Sequence, residues 1–303
     1  MDKPPGFTSH DVVAKLRRII GQKKIGHTGT LDPEAVGVLP VCLGSATRAC
    51  DFLTQKDKEY IAGVCLGIIT DTQDMTGRVL KKCEVEVTPS QVEAAIQGFL
   101  GDYEQIPPMY SALKVNGKKL YELAREGKEI ERKARKVHIR EIEILKMELP
   151  CLTIRVSCSK GTYIRTLCHD LGEKLGCGAV MENLQRTRSG IFTKETALTL
   201  EQVEQLMEAG RKAGKENPLS EVLIPVDEVF IHYPALKLKP EMERLIKNGN
   251  AFEKKHLLTP LPQGKRIEGS RYRVYIENNI FMGIYEYRIK ENRFCPVKMF
   301  ISH

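Results

Sequence analysis

Asp32 lies in a segment, Gly26–Val41, that is rich in glycine and threonine and then becomes apolar. Gly29 and Gly37 allow backbone angles and close approaches that a side chain would prevent. Pro33 fixes its own φ angle and biases Asp32 away from helical geometry. The segment therefore presents a carboxylate from a stiff, glycine-flanked turn, which makes Asp32 a candidate for chemistry.

Other interpretations of this turn are open from the residues alone. An aspartate beside glycine and proline commonly hydrogen-bonds nearby backbone and has no chemical role. A phosphate-binding loop of the Walker type does not fit, because its Gly-Lys-Ser/Thr is missing. A metal site would need a second carboxylate or histidine at ligand spacing. His27 is near, but no second convincing ligand accompanies it.

Five further short motifs occur along the chain, and their order identifies a family more specifically than any one of them does. They are Asp2–Ser9, Lys58–Tyr60, Thr70–Gly77, Ile106–Lys114 and Cys158–Arg165. Together with Gly26–Val41 they closely resemble the motifs of the TruB family of bacterial tRNA pseudouridine synthases. An ordered set of this kind is much more specific than a single short motif.

The resemblance implies a role for particular residues. The loop aspartate of that family attacks the target nucleoside, which nominates Asp32. The matching tyrosine, Tyr60, stacks on the target base, and the matching arginine, Arg165, pairs with the nucleophile. The resemblance nominates further residues as substrate-binding: His27, Tyr163, Leu184, Lys3, Asp74 and Lys160.

The reaction that the resemblance implies is isomerisation of a uridine to pseudouridine in the T-loop of tRNA (position 55). It breaks the N-glycosidic bond, rotates the uracil and rejoins it through C5, after attack of the carboxylate on either the ribose or the base. The target nucleotide must be flipped out, because its reacting atoms are hidden in the stack. The reaction has no net redox or hydrolytic step, so we expect no cofactor and no metal.

Such chemistry needs Asp32 ionised in a site that excludes water. A buried carboxylate without a partner takes up a proton, because desolvation disfavours its charged form. Arg165 is expected to supply the opposite charge and a planar fork of donors that aims the carboxylate. Tyr60 and Tyr163 offer flat faces, and stacking on such a ring stabilises a flipped base by about 1–3 kcal/mol.

Each of these residues also has an interpretation without function. Arg165 would then be a surface helix arginine, and Tyr60 and Tyr163 would be core tyrosines at strand ends. His27 would fill a turn, and Leu184 would be an ordinary core leucine.

The composition bounds the class of protein. With 303 residues, 42% of them hydrophobic and 28% charged, the chain is long and apolar enough to fold rather than stay disordered. Its net charge of +8 suits a polyanionic partner. The nine cysteines contain no C-x-x-C pair, which argues against a zinc site and favours a reduced, cytoplasmic setting. The sequence has no signal peptide and no long apolar run, so we expect no membrane.

Periodicity and capping residues predict the elements that must position the site. Helices are expected over 11–20, 88–100 and 164–175 and from 199 onward. In the second helix, Val92, Ile96, Phe99 and Leu100 are expected to face inward. Strands are expected over 60–66, 152–158, 272–276 and 281–287.

These elements, with the resemblance, lead us to expect an α+β fold. It comprises a pseudouridine-synthase-like mixed, largely antiparallel sheet with flanking helices, and a small C-terminal β-rich, PUA-like domain. The catalytic domain is predicted over 1–231 and the PUA-like RNA-binding domain over 232–303. Residues 107–136, where basic residues crowd and apolar ones thin out, are predicted to be a loosely packed insertion that grips RNA phosphates. A solvated charged hairpin is the alternative, because acidic residues are interleaved.

The predicted partner is tRNA, recognised through its T-arm by a monomer that needs no guide RNA. Three rival functions would be distinguished by simple observations. A non-catalytic RNA-binding protein on this fold would not isomerise uridine. A guide-RNA-directed, dyskerin-like relative would be inactive on bare tRNA. A phosphotransferase with a loop aspartate would depend on Mg²⁺.

Overall fold

The computed structural model describes residues 1–115, 117–259 and 269–301. Its strands are β1 (Asp2–Lys3), β2 (Ile25–His27), β3 (Val36–Val38), β4 (Val41–Leu43), β5 (Lys58–Leu66), β6 (Ile68–Thr70), β7 (Val79–Lys82), β8 (Gly101–Gln105), β9 (Lys114–Val115), β10 (Lys118–Lys119), β11 (Arg135–Glu148), β12 (Cys151–Cys158), β13 (Ala179–Ser189), β14 (Phe192–Thr193), β15 (Ala235–Lys237), β16 (Arg271–Tyr275), β17 (Phe281–Arg288) and β18 (Arg293–Met299).

The α-helices are α1 (Ser9–Ile20), α2 (Cys50–Thr54), α3 (Pro89–Gln97), α4 (Leu120–Arg125), α5 (Ile164–Leu175), α6 (Leu200–Lys212) and α7 (Glu243–Lys247). Short 3₁₀ segments are Gly44–Ala49, Glu228–Phe230, Pro240–Met242, Lys254–His256 and Glu277–Asn279. Among the described helices, none has both the length and the apolar character needed to cross a membrane.

An eight-stranded sheet organises the part of the chain that carries Asp32. Its order is β1–β3–β13–β5–β12–β11–β8, and β14 pairs with the end of β13. Among the described strands of this sheet, β3 and β13 run parallel, and the other neighbours run antiparallel. The predicted α+β fold with a mixed, largely antiparallel sheet is confirmed.

The centre of this sheet is apolar, as the sequence patterns indicate. The predicted strands over 60–66 and 152–158 are present as β5 and β12, which pair with Tyr60 opposite Val156 and Val64 opposite Leu152. Helix α5 packs on β13 and on α3. It ends at Gly176, whose φ of 77° is the left-handed conformation that favours glycine at a helix end. The sheet and α5 together form the support for the site.

Helix α3 begins as its sequence predicts. Thr88 accepts a hydrogen bond from the Gln91 N–H, and the Gln91 side chain accepts from the Thr88 N–H, which completes a capping box. The helix ends earlier than expected, and Leu100 is 50% exposed. The expectation that Leu100 faces inward is therefore wrong, because the chain leaves the helix at Gly98 and enters β8.

The basic segment 107–136 contains more structure than we expected. It includes the short hairpin β9–β10, followed by α4. Leu120 and Leu123 of α4 are buried, so the expectation of a loosely packed segment that is poor in apolar anchors is wrong at this helix. Tyr121 lies under both the Lys119 ammonium and the Arg125 guanidinium. The two leucines, three residues apart on one helix face, supply an anchor that the high charge density of the sequence conceals.

The chain folds as two compact units. The first comprises Met1–Val12, Gly29–Pro40 and Leu53–Leu200. The second comprises Val13–Thr28, Val41–Phe52 and the described part of Glu201–His303. This grouping interleaves segments of the N-terminal half, so it does not correspond to one cut in the sequence. The predicted domains, 1–231 and 232–303, stay a prediction.

The second unit contains a four-stranded sheet in the order β15–β16–β17–β18. The predicted strands over 272–276 and 281–287 are present in it as β16 and β17. Its core is aromatic: Phe252 stacks on Phe294, and Tyr285 is fully buried beside them. The C-terminal part is β-rich, as predicted.

Candidate active site

The backbone around Asp32 is held on both sides of the residue. The Ser9 hydroxyl accepts a hydrogen bond from the Leu31 N–H at 3.0 Å. On the other side, the Pro33 carbonyl accepts from the Lys3 amino group at 2.7 Å. The Asp32 side chain therefore projects from a turn whose two flanking residues cannot easily move.

Arg165, in the first turn of α5, meets the Asp32 carboxylate with two of its nitrogens. Nε lies 3.0 Å from Oδ2, and Nη2 lies 3.3 Å from Oδ1. The Arg165 side chain is 6% exposed, whereas that of Asp32 is 40% exposed. The planar guanidinium thus fixes the direction of the carboxylate, while part of the carboxylate surface is left open to an incoming molecule.

The remaining donors of Arg165 also have acceptors. Nη1 donates to the Thr72 carbonyl at 3.2 Å and lies 3.5 Å from Oδ2 of Asp74. Nη2 donates to the Tyr110 carbonyl at 2.9 Å. A guanidinium held by two carboxylates and two carbonyls has little freedom to rotate, so Arg165 is a fixed reference for Asp32.

Asp74 orders the loop on which it lies. Its Oδ1 accepts hydrogen bonds from the Thr72 hydroxyl at 2.7 Å and from the Thr76 N–H at 3.0 Å. Gln73 has a φ of 64°, a left-handed backbone that is uncommon for a non-glycine residue. The Gln73 carbonyl accepts from the Met181 N–H at 3.1 Å, which docks the loop on β13. The Asp74 carboxylate that lies beside Arg165 therefore belongs to an ordered loop.

The pKa of Asp32 is set by opposing effects. Burial raises the pKa above its ordinary value, because the protein surroundings disfavour the charged form. The Arg165 guanidinium lowers it, the Asp74 carboxylate raises it, and Lys3 lowers it. The Asp32 side chain keeps an exposure of 40%, so water limits its desolvation. The net direction is a raised pKa, and the Arg165 guanidinium opposes that rise by favouring the ionised carboxylate.

The two predicted aromatic residues lie in different settings. Tyr60 is on β5 and is 8% exposed, and burial raises the pKa of its hydroxyl. Tyr163 immediately precedes α5 and is partly exposed. The Gln105 side chain accepts from the Tyr163 N–H at 2.7 Å and donates to the Tyr163 carbonyl at 3.0 Å. Gln105 thus fixes the backbone from which the Tyr163 ring projects.

Lys3, predicted to bind substrate, is fully buried. Its amino group donates to the carbonyls of Pro4, Phe7 and Pro33 at 2.6–2.8 Å. Burial lowers the pKa of Lys3 to about 8. Because all three donors are used, a direct hydrogen bond from Lys3 to a substrate is not part of this arrangement.

The other predicted substrate-binding residues are spread over several elements. Leu184 is buried on β13 opposite Ala62. Lys160 is exposed at the turn before α5, and its amino group bonds to the Gln55 side chain. His27 is the last residue of β2 and belongs to the second compact unit. The substrate-binding roles of these three residues stay predictions. Arg165, by contrast, is in direct contact with both Asp32 and Asp74.

Some polar residues of the region were not predicted from the sequence. Arg186 on β13 is 1% exposed and donates to the carbonyls of Gly29 and Val38. These two residues bound the stretch 29–38, which is called the Asp32 segment from here on. The sequence does contain a signal that could have identified Arg186. Leu184 and Arg186 lie two residues apart, so in a strand their side chains point to the same face. A charged residue on an apolar strand face is a candidate for a special role.

Within the described ranges, no group of three or more His, Cys, Asp or Glu side chains is placed to hold a metal ion. The expectation that the protein uses neither metal nor cofactor stays a prediction.

Family models match two adjoining stretches of the chain. The model for the N-terminal domain of TruB family pseudouridylate synthase matches residues 17–164, and the model for the tRNA pseudouridylate synthase B C-terminal domain matches residues 165–230. The chain belongs to the TruB family. It is therefore a pseudouridine synthase, an enzyme of the isomerase class, and the family predicted from the motifs is confirmed.

Relatives of the TruB family support this assignment along nearly the whole chain. The tRNA pseudouridine synthase B of Clostridium novyi is 48% identical over 93% of this chain and 92% of its own length. That of Lachnoclostridium phytofermentans is 51% identical over 99% of this chain and 97% of its own length.

Solved structures of multi-component complexes contain chains with the same architecture. A chain in the structure of an H/ACA RNP bound to a substrate RNA containing 2′-deoxyuridine is 26% identical, with a TM-score of 0.75. The match covers 99% of this chain and 84% of the other. A chain in the crystal structure of a Cbf5-Nop10-Gar1 complex is 28% identical, also with a TM-score of 0.75, and 83% of it is covered.

Proposed function

We propose that this TruB-family chain converts a uridine in the T-loop of tRNA, at position 55, to pseudouridine, with Asp32 as the nucleophile. The observation that carries the proposal is the two-point contact between Asp32 and Arg165. It leaves an ionised, oriented carboxylate with an open face, which is what nucleophilic attack requires. The names of the bacterial relatives, tRNA pseudouridine synthase B, support tRNA as the substrate class.

The bond changes balance without a redox partner. The glycosidic bond between C1′ and N1 breaks, and a bond between C1′ and C5 forms. A proton leaves C5, and N1 carries a proton in the product. The bond that the Asp32 carboxylate forms to the nucleoside on attack breaks again before the product leaves, so the free carboxylate is regenerated. The protein supplies this carboxylate and holds the detached uracil while it turns.

The target base must leave the RNA stack before Asp32 can reach it. Unstacking is cheapest in an RNA loop, which supports the T-loop as the site of reaction. Tyr163 is partly exposed and its backbone is held by Gln105, so its ring is assigned as a surface for a flipped base. Tyr60 is mostly buried, so we assign it the inner wall of the base site.

The enzyme is proposed to act on free tRNA without a guide RNA. The bacterial relatives match this chain over 92–97% of their own lengths, whereas the chains from the H/ACA assemblies extend beyond the match. The exposed lysines of segment 107–136 would bind RNA phosphates. A monomeric state and a cytoplasmic location stay predictions.

The test is to incubate the full chain with one unmodified tRNA transcript and to map pseudouridine at every uridine. The expected result is modification at position 55 alone, without added guide RNA. A prefolded T-arm stem-loop assayed in EDTA separates a metal requirement of the enzyme from the Mg²⁺ that whole tRNA needs to fold. Asp32→Asn serves as the inactive control.

Distinct outcomes would contradict distinct parts of the proposal. Binding of tRNA without isomerisation would favour a non-catalytic RNA-binding protein. Activity only after a guide RNA is added would reject free tRNA as the substrate. Pseudouridine at a different position would reject the T-loop while leaving the enzyme class intact.

A further inference from the structure

Arg186 is a buried cation without a carboxylate partner. It is 1% exposed, and among the described residues no carboxylate forms an ion pair with it. A buried charge is costly unless hydrogen bonds replace its water. Its acceptors are the Val38 carbonyl, at 2.7 Å from Nε, and the Gly29 carbonyl, at 2.8 Å from Nη2.

These two carbonyls lie at the two ends of one short segment. Gly29 precedes Asp32 and Val38 follows it on β3, so the Arg186 side chain closes the segment that carries the proposed nucleophile. The backbone of Arg186 takes part as well. Gly37 pairs with Arg186 across the parallel strands, and a Cβ on Gly37 would collide with the Arg186 carbonyl oxygen.

Arg186 also contacts the proposed inner wall of the base site. The two residues are direct partners in the antiparallel pair of β13 and β5, so their side chains leave the sheet on the same face. Burial raises the pKa of the Tyr60 hydroxyl, and the positive charge of Arg186 opposes that rise. Arg186 therefore links the Asp32 segment to Tyr60 as a cross-strand neighbour.

We propose that Arg186 is a positioning residue of the reaction: it fixes the Asp32 segment and Tyr60 in one geometry and does not touch the substrate. The proposal rests on the proposed roles of Asp32 and Tyr60. It differs from a purely structural role, because it predicts a loss in the rate of the chemical step for each folded molecule. A displacement of about 1 Å at a reacting group can cost on the order of 100-fold in rate.

The experiment compares Arg186→Lys with the wild-type full chain in single turnover, with enzyme in excess over a tRNA transcript. Lysine keeps the charge but lacks the planar fork whose separate nitrogens donate to the carbonyls of Val38 and Gly29. We expect the rate constant at saturating enzyme to fall by about 10- to 100-fold, while the Kd for tRNA changes less than about threefold. The fraction of active enzyme is measured separately by the reaction amplitude with tRNA in excess, and Tm is recorded.

Leu152→Ala is the matched control for lost stability. Leu152 is 3% exposed on β12, in the same sheet, and it pairs with Val64 rather than with Tyr60. Its truncation leaves a cavity and lowers Tm without touching the Asp32 segment. We expect its single-turnover rate constant to equal that of the wild type.

Arg186→Lys with a wild-type rate constant and a lowered Tm would overturn the proposal in favour of a structural role. An increased Kd with an unchanged rate constant would overturn it in favour of RNA binding. If Arg186→Lys does not fold, Gly29→Ala takes its place, because the left-handed φ of 67° at Gly29 and the 3.3 Å approach of its Cβ to Nη1 of Arg186 would both displace the Asp32 segment from the position that Arg186 holds. A wild-type rate constant in that variant would equally overturn the proposal.

Asp32→Asn, assayed in parallel, separates a failure of the proposed nucleophile from a failure of the proposed role of Arg186. If that variant is active, the proposed nucleophile is wrong whatever Arg186 does. If it is inactive and Arg186→Lys reacts at the wild-type rate, the inference about Arg186 alone is wrong.

Discussion

The Arg165 guanidinium grips the Asp32 carboxylate at both oxygens, with Nε 3.0 Å from Oδ2 and Nη2 3.3 Å from Oδ1. One partner is nearly buried and the other keeps an exposure of 40%. The buried partner is held by further acceptors, so the exposed carboxylate takes its direction from a fixed group. Substitution of Asp32 and substitution of Arg165 should therefore affect the reaction in different ways.

Asp32→Asn should abolish turnover and leave tRNA binding nearly intact. The amide keeps the shape of the side chain but is no nucleophile, so the loss should fall on kcat, by at least about 1000-fold. Glu34→Gln is the matched control, since Glu34 is an exposed carboxylate in the same segment and should tolerate the change. Single-turnover rates and tRNA binding measure both variants, and an Asp32→Asn rate within about tenfold of wild type would reject Asp32 as the nucleophile.

Arg165→Lys should be far more damaging than its conserved charge suggests. A lysine cannot contact both oxygens of Asp32 and also satisfy Asp74 and the carbonyls of Thr72 and Tyr110. We expect a loss of about 100-fold in the single-turnover rate constant. Arg155→Lys, at an exposed ion pair with Glu143 on the same sheet, controls for the substitution itself and should be neutral. Equal rates for Arg165→Lys and wild type would show that a point charge suffices.

Asp74→Asn should shift the acid side of the pH–rate profile. The rate rises with pH as Asp32 loses its proton, and the Asp74 carboxylate raises the pKa of Asp32. Removal of that negative charge lowers the pKa, so the acid limb should move to lower pH. Asp71→Asn is the control, because Asp71 lies in the same loop and bonds to the Arg78 N–H. A limb that stays in place or moves to higher pH in Asp74→Asn would contradict the prediction.

Neutralising exposed lysines of segment 107–136 should weaken tRNA binding and flatten its salt dependence. Each lost phosphate contact lowers the slope of log affinity against log salt by roughly 0.7–0.9. The chemical step at saturating RNA should change little, because none of these lysines is among the described partners of Asp32 or Arg165. The variant replaces three lysines by glutamine: Lys114, Lys118 and Lys133.

The control for this variant removes the same charge elsewhere in the first compact unit. It replaces three exposed lysines of β7 and β11 by glutamine: Lys81, Lys82 and Lys146. Salt titrations of tRNA binding compare the two variants with wild type. Equal slopes for both would show that the segment contributes only general positive charge and does not grip the RNA.

Elements with strong local signals were predictable from the sequence. The capping box at Thr88, the glycine end of α5 and the alternation in β12 each depend on residues within a few positions. The resemblance of the sequence motifs to those of the TruB family predicted the family, and it also predicted that Asp32 and Arg165 share one site. Their separation in sequence is large, so no local pattern could have shown their contact.

The strands β11 and β13 were not predicted, although β13 joins β3 to β5 in the sheet. β13 begins with apolar residues and then alternates polar side chains, several of which are satisfied by distant partners. Arg186 is an example, since its acceptors lie on the Asp32 segment. A buried cation is recognisable only when its acceptors are known, and those acceptors come from tertiary pairing.

The carbonyl partners of Arg186 have an electrical consequence. Carbonyl dipoles solvate a guanidinium but do not cancel its net charge, so a full positive charge remains inside the protein beside the carbonyls of Gly29 and Val38. Mobile ions in solution screen a surface lysine well and an interior charge poorly. Part of the electrostatic potential that acts on an incoming phosphodiester therefore originates from a charge beneath the protein surface, which counterions cannot reach. This part persists at salt concentrations that screen the surface charges.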